Sequence, residues 1–151
     1  LRSDCNRGVS GIEGSTSTAA GAACVGEEMT VLITGDMSFS YDVNGLSSTY
    51  LSPRFKIIVM CNGGGGIFRF IKPTSDLPEL ETCFEIHRDI SVEKYADLFG
   101  LRYFELNDEK SAAEVLSLFF AEKDRPAILA VHTPNVYNAE VLRGYFRRSR
   151  Q

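Results

Sequence analysis

The sequence predicts an α/β domain built as a three-layer sandwich, with a mainly parallel sheet between helices. Short apolar runs alternate along the chain with helical segments, which is typical of βαβ units. Several of these runs are continuously apolar, as strands buried on both faces require. The chain has 151 residues, of which 44% are hydrophobic and 24% charged. This length and composition suit one domain with its own core.

Four segments are predicted as strands from their apolar and β-branched composition. They are Met29–Gly35, Lys56–Cys61, Arg102–Leu106 and Pro126–His132. The first, second and fourth contain uninterrupted apolar runs. We therefore expect helices to cover these three strands on both faces of the sheet.

Four helices are predicted from apolar residues at helical spacing or from small residues that allow close packing. They are Ser15–Cys24, Ser91–Phe99, Asp108–Glu122 and Asn138–Arg148. Gly26 is placed to end the first helix, and Ser91 and Gly100 to cap and end the second. Asn107 is the expected cap of the third. Ile71–Leu80 holds two prolines and is expected to be the least ordered stretch.

The charge balance and the cysteines narrow the class of protein. Sixteen Lys and Arg residues against 20 Asp and Glu residues give a net charge of −4, which argues against a nucleic-acid or anionic-membrane binder. No apolar run reaches the roughly 18 residues of a membrane span, and no signal peptide opens the chain. The four cysteines lack zinc-type spacing and are expected to be reduced, mostly buried thiols. These features predict a cytoplasmic protein.

Two neighbouring strands end in residues that suit a metal ion. Asp36 follows the first strand, and Asn62 with Gly63–Gly66 follows the second. Ligands of open α/β sheets bind at the carboxyl ends of the strands, and Mg²⁺ prefers hard oxygen ligands beside a phosphate. Asp36 would supply charge, Asn62 a neutral oxygen and the glycine run a backbone carbonyl. The alternative is that Asp36 caps a helix and the glycines form a flexible turn.

A third candidate segment is Asn6–Gly14, which precedes the first predicted helix. Its glycines and serines expose backbone N–H groups near a helix start, where anions bind, and Arg7 could clamp a carboxylate. The alternative is a polar loop with a solvated arginine. His87 and His132, the only histidines, are not expected to act in catalysis or metal binding.

Gly35-Asp36-Met37 followed by Cys61-Asn62 resembles the metal and diphosphate motif of thiamine-diphosphate enzymes. The family's form is Gly-Asp-Gly, a spacer, and Asn-Asn. Met37 and Cys61 depart from that form, but neither replaces a side-chain ligand of the metal. Asn6–Gly21 and Gly63–Phe68 extend the resemblance to the branch of the family that serves menaquinone biosynthesis, and it is strongest over residues 4–68.

The resemblance implies a thiamine-diphosphate-binding fold and a role for each matching residue. Asp36, Asn62 and the carbonyl of Gly64 would hold Mg²⁺ against the cofactor diphosphate. The other residues expected to contact the cofactor are Ser10, Gly11, Ile12, Gly35, Met37 and Ser38. Arg7 would grip a carboxylate of the substrate, and Ile67 and Phe68 would form an apolar wall facing isochorismate.

The resemblance also implies the activity of a longer enzyme, a C–C bond-forming transferase. It would decarboxylate 2-oxoglutarate and add the succinic-semialdehyde carbanion to isochorismate. The glutamate that activates the cofactor belongs to the family's N-terminal domain. Residues 1–151 are therefore expected to be the diphosphate domain of a longer chain, inactive alone and working with that domain and a second subunit.

Two alternatives remain open from the sequence. The first is a domain of another thiamine-diphosphate decarboxylase or of an acetolactate-type synthase, in which the Asp36 and Asn62 site would be the same. The second is a non-catalytic assembly module, whose exposed apolar surface would bind a partner.

Overall fold

The computed structural model describes residues 2–6, 11–85, 87–88 and 90–148. In this part of the chain, four strands form one sheet in which every neighbouring pair is parallel. The strands are β1 (Thr30–Gly35), β2 (Phe55–Cys61), β3 (Arg102–Leu106) and β4 (Ala127–His132). Their order across the sheet is β1-β2-β4-β3. The predicted parallel α/β architecture is confirmed, and each predicted strand lies within one residue of its observed bounds.

The α-helices alternate with the strands, as βαβ connections require. They are α1 (Ser15–Val25), α2 (Asp36–Tyr41), α3 (Val92–Phe99), α4 (Ala112–Ala121) and α5 (Asn135–Arg148). The predicted caps of α3 are confirmed: the Ser91 side chain accepts a hydrogen bond from the N–H of Lys94, and Gly100 ends the helix in the left-handed conformation. Gly26 ends α1 as predicted.

Helices lie on both faces of the sheet and create two apolar clusters. The larger cluster joins α1, α2 and α3 to one face of the sheet and includes the fully buried Phe39, Phe55 and Ile57. The smaller cluster joins α4 to the opposite face, where Phe119 packs on Ala127 and Leu129. The three predicted layers are therefore present, but the second helical layer is centred on β3 and β4.

The expectation that β1 is covered on both faces is wrong. Leu32 and Thr34 are buried, whereas Val31 is 42% exposed and Ile33 is 68% exposed. The cause is position, because β1 is the edge strand farthest from β3 and the α4 cluster lies at the other side of the sheet. Burial of a continuous apolar run depends on which helix crosses it.

Two predicted helix starts are also wrong. The third predicted helix begins with a short 3-10 turn, Glu109–Ser111, before α4, and its cap is Asp108 instead of Asn107. Asp108 accepts hydrogen bonds from the N–H groups of Lys110 and Ser111, which Asn107 does not. The last helix begins at Asn135, three residues before the predicted start.

The prediction for Ile71–Leu80 needs a smaller correction, because the segment contains a short 3-10 helix at Thr74–Asp76. The Thr74 hydroxyl stabilises this turn by donating to the carbonyls of Phe68 and Ile71. Helical structure resumes at Leu80–Phe84.

The four cysteines are free, as predicted, but the expectation that most are buried is wrong. Cys5 and Cys83 are exposed, and Cys24 and Cys61 are half-buried. Among the residues that the structure describes, no three His, Cys, Asp or Glu side chains gather into a metal cluster. None of the described helices has both the length and the apolar character needed to cross a bilayer.

Candidate functional site

The parallel register places the ends of β1 and β2 side by side at the carboxyl edge of the sheet. Gly35, the last residue of β1, is paired with Met60, one residue before the end of β2. The first residue after β1, Asp36, therefore lies beside the first residues after β2. The sequence-based expectation that Asp36 and Asn62 lie close together is confirmed by the contacts described next.

The Asp36 carboxylate is held by three main-chain N–H groups. Its Oδ2 accepts from Asn62 at 3.0 Å and from Gly63 at 2.8 Å, and its Oδ1 accepts from Met37 at 2.7 Å. Asp36 is only 4% exposed. It is also the first residue of α2, so it both begins a helix and joins the two strand ends. The N-cap of α2 is Gly35, so the alternative that Asp36 caps this helix is wrong.

The glycine run after Asn62 forms a turn in the left-handed conformation. Gly63, Gly64 and Gly65 all have positive φ angles, between 64° and 93°, which other residues adopt only with strain. The side-chain oxygen of Asn62 accepts a hydrogen bond from the N–H of Gly64 at 3.1 Å and closes the turn. The loop then enters a short 3-10 helix, Gly66–Arg69.

Two other predicted cofactor residues, Ile12 and Ser38, are in contact near the starts of α1 and α2. The Ser38 hydroxyl donates to the carbonyl of Ile12, which connects the segment before α1 to the first turn of α2. Ile12 is 42% exposed and Gly11 is also exposed. Gly35 is exposed, and a methyl group added at its Cα would meet no atom of the described residues within 4 Å. Among those residues, open space therefore borders Gly35 at the strand end.

The predicted substrate residues are only partly described. Arg7, together with the predicted cofactor residue Ser10, lies outside the described residues. Ile67 is half exposed, and Phe68 packs against Phe84 with ring centroids 5.4 Å apart. Both lie in Gly66–Arg69, in the same segment after β2 as the predicted metal ligands Asn62 and Gly64.

A buried polar cluster of Arg69, Glu85 and Asn135, which was not predicted from the sequence, contacts the glycine loop through Asn135. The Glu85 carboxylate is fully buried and accepts from Arg69 and from the side-chain amide of Asn135 at 3.0 Å. The hydrogen bonds between Arg69 and Glu85 raise the pKa of the guanidinium, and the hydrogen bond to Glu81 makes the next largest contribution. Asn135 follows the end of β4 by three residues, so the strand-end rule could have found it. No comparable signal marks Glu85.

Cys61 and the histidines lie at the same edge but have other contacts. Burial, with a smaller contribution from Asp36, raises the pKa of the Cys61 thiol to about 12, so it is neutral at physiological pH. His132 pairs with Glu105 at 3.1 Å. The His87 ring lies beside Gly63, where an added methyl group would be 3.3 Å from Nδ1.

The sequence matches the family described as thiamine pyrophosphate enzyme, C-terminal TPP binding domain, over residues 3–131. The chain belongs to this family. The matched residues include the parallel sheet, Asp36 at the end of β1 and the glycine loop after β2.

Three similar curated proteins share the name 2-succinyl-5-enolpyruvyl-6-hydroxy-3-cyclohexene-1-carboxylate synthase. The relative from Porphyromonas gingivalis is 50% identical over 93% of this chain, and that from Flavobacterium johnsoniae is 44% identical over 95%. The relative from Christiangramia forsetii is 40% identical over 97%. The matched part is 24%, 26% and 25% of these relatives, so the chain spans about a quarter of their length.

Proposed function

We propose that this chain is the diphosphate-binding domain of a 2-succinyl-5-enolpyruvyl-6-hydroxy-3-cyclohexene-1-carboxylate synthase and that it holds thiamine diphosphate through Mg²⁺. The observation that carries the proposal is the buried Asp36 carboxylate, fixed by the N–H groups of Asn62 and Gly63 where β1 and β2 end. The names of the relatives support the choice within the family.

The donor atoms at this edge fit Mg²⁺. Asp36 offers a carboxylate, Asn62 an amide oxygen and Gly64 a main-chain carbonyl, all of them hard oxygen ligands of the kind that Mg²⁺ prefers. The three N–H contacts occupy three of the roughly four lone-pair positions of a carboxylate, which leaves capacity for a cation. The carboxylate supplies the negative charge, while water and diphosphate oxygens would complete the shell.

The remaining residues would bind and orient the cofactor and the substrate. Open space beside Gly35 gives the diphosphate room to approach the backbone. The other proposed cofactor contacts are Ser10, Gly11, Ile12, Met37 and Ser38. We assign Arg7 to a substrate carboxylate and Ile67 and Phe68 to an apolar wall. In a decarboxylase or an acetolactate-type synthase, we would expect other residues at these three positions.

Bound thiamine diphosphate would supply the electron sink for decarboxylation of 2-oxoglutarate and for C–C bond formation with isochorismate. The role of this chain is to hold the diphosphate of the cofactor through Mg²⁺. In the proposal, the residue that activates the cofactor lies in an N-terminal domain, a second subunit contributes to the site, and the enzyme is cytoplasmic. The 151-residue chain alone is then expected to show no turnover, and measurable turnover would contradict this division of roles.

Calorimetric titration of thiamine diphosphate into the 151-residue chain, with and without Mg²⁺, tests the proposal. The variants are Asp36→Asn, which keeps the side-chain volume, and Asp108→Asn as the matched control. Asp108 also accepts two main-chain N–H groups at a helix start, but it caps the turn before α4. We expect Mg²⁺-dependent binding for wild type and Asp108→Asn, and its loss in Asp36→Asn, with circular dichroism verifying that each variant is folded.

Two outcomes would overturn the proposal. Equal binding by wild type and Asp36→Asn would remove Asp36 from the metal site. Absence of Mg²⁺-dependent binding by the wild-type chain would contradict the assignment of cofactor binding to this chain. If that chain instead self-associates, the assembly-module alternative is favoured, because β1 leaves Ile33 68% exposed.

A further inference from the structure

Asn135 connects the buried Glu85 carboxylate to the glycine loop. Its side-chain nitrogen donates to Glu85 Oε1 at 3.0 Å and makes a longer hydrogen bond, 3.5 Å, to the main-chain carbonyl of Gly64. Asn135 and Gly64 are 71 positions apart in the sequence. The contact joins the start of α5 to the loop after β2, two segments that the sheet brings to the same edge.

The orientation of the Asn135 amide is fixed by its surroundings. Glu85 is fully buried and accepts two hydrogen bonds from Arg69, so both of its carboxyl oxygens act as acceptors. The Gly64 carbonyl is also an acceptor. Because only the amide NH₂ can donate to two acceptors, the nitrogen faces Glu85 and Gly64, and the Asn135 oxygen lies toward Gly66. The Arg69–Glu85 pair thus holds the donor of Asn135 toward the loop.

The glycine loop is packed tightly between this cluster and its own asparagine. A methyl group added at Gly66 would lie 2.4 Å from Asn135 Oδ1 and 2.6 Å from Asn62 Nδ2. A methyl group at Gly65 would lie 2.6 Å from the Phe84 carbonyl and 2.7 Å from Glu85 Cα. The loop therefore packs closely against Asn135 and Glu85. The Asn135 nitrogen that donates to the Gly64 carbonyl is itself bound to Glu85.

We propose that Asn135 is a positioning residue for the metal, which orients the Gly64 carbonyl by occupying one of its lone pairs and leaving the other for Mg²⁺. The inference rests on the proposed function, since it assigns Gly64 as a ligand. Hydrogen bonds to metal ligands fix their direction, and their removal typically weakens metal binding about 10- to 100-fold. Asn135 touches neither cofactor nor substrate in this role.

The test measures the Mg²⁺ dissociation constant by calorimetry at saturating thiamine diphosphate, using the 151-residue chain. Asn135→Ala removes the donor, and Asn135→Gln keeps an amide. Asn138→Ala is the matched control, because Asn138 lies on the same helix and donates a similar hydrogen bond, 2.8 Å to Thr133 Oγ1, away from the loop. Thermal unfolding without metal measures the structural effect of each variant.

We expect the Mg²⁺ dissociation constant to rise about 10- to 100-fold in Asn135→Ala and to stay near wild type in Asn138→Ala. Asn135→Gln should bind Mg²⁺ more tightly than Asn135→Ala, because it retains the donor. Wild-type affinity in Asn135→Ala, or equal weakness of the Ala and Gln variants, would overturn the inference. Asp36→Asn separates the two claims, since its retention of Mg²⁺ binding would contradict the proposed function itself.

Discussion

Arg69 and Glu85 form a two-point ion pair in which Nε donates to Oε1 at 2.7 Å and Nη2 donates to Oε2. The Glu85 side chain is fully buried and that of Arg69 is 16% exposed. Removing one member of such a pair leaves an uncompensated buried charge. We therefore expect Arg69→Met to lower the free energy of unfolding by about 3–5 kcal/mol, measured by urea denaturation.

Arg102→Met is the control for this first prediction. Arg102 pairs with Glu122 at 3.7 Å, but its side chain is 55% exposed, so solvent screens the pair. The urea midpoint of Arg102→Met should remain close to that of wild type. A similar loss in both variants would mean that burial does not determine the contribution of the Arg69–Glu85 pair.

A second prediction separates binding from stability at Gly35. Its backbone is extended, and an added methyl group meets no atom within 4 Å in the part of the chain that the structure describes. Gly35→Ala should therefore change the free energy of unfolding by no more than about 0.5 kcal/mol. It should nevertheless weaken binding of thiamine diphosphate, because the methyl group would enter the space proposed for the diphosphate. Thermal unfolding and calorimetry measure the two effects.

Gly144→Ala provides the matched comparison for Gly35→Ala. Gly144 lies within α5, and an added methyl group there also meets no described atom within 4 Å. Because glycine is unfavourable inside a helix, the substitution should stabilise the chain by about 0.5–1 kcal/mol and leave cofactor binding unchanged. Wild-type binding by Gly35→Ala would remove Gly35 from the cofactor site.

A third prediction concerns pH and the Asp108 cap. Hydrogen bonds from the N–H groups of Ser111 and Lys110, then from the Ser111 hydroxyl, lower the pKa of Asp108. A carboxylate with a lowered folded-state pKa stabilises the fold above its unfolded pKa of about 3.9, and this contribution disappears as the pH falls through the folded value. Asp108→Ala should therefore melt below wild type at pH 7, and the difference should shrink below pH 4.

The pH dependence is measured by thermal unfolding of both proteins at a series of pH values from 7 down to the lowest at which both are folded. Glu109→Ala, which removes a carboxylate from the same turn, serves as the control for a general charge effect. A melting difference for Asp108→Ala that stays constant over the whole range would mean that its charged form does not provide the capping energy.

Local signals in the sequence were sufficient for most of the fold. Apolar runs located the strands, and Ser91 and Gly100 located the ends of α3, because capping depends on neighbouring residues only. The exposure of Ile33 could not be predicted in this way. Its run is as apolar as that of β2, and only the strand order and the position of α4 decide which face is covered.

The candidate site also has a part that local sequence signals could predict and a part that they could not. The proximity of Asp36 and Asn62 could be predicted, because parallel strands end at one edge of the sheet. Contacts between segments far apart in sequence could not: the end of β4 marks the position of Asn135, but nothing in the sequence indicates that it reaches Glu85 across 50 positions. Such contacts require the three-dimensional path of the chain.

The strand order has a consequence for how the chain is made. β4 lies between β2 and β3, although it is the last strand in the sequence, so β3 has no partner among the described strands until residues 127–132 have been synthesised. Asn135 follows only three residues later. During translation, β1 and β2 can pair first, while the contact between Asn135 and Gly64 forms last. Since domains fold as the chain emerges, the glycine loop would gain this contact only after β4 has joined the sheet.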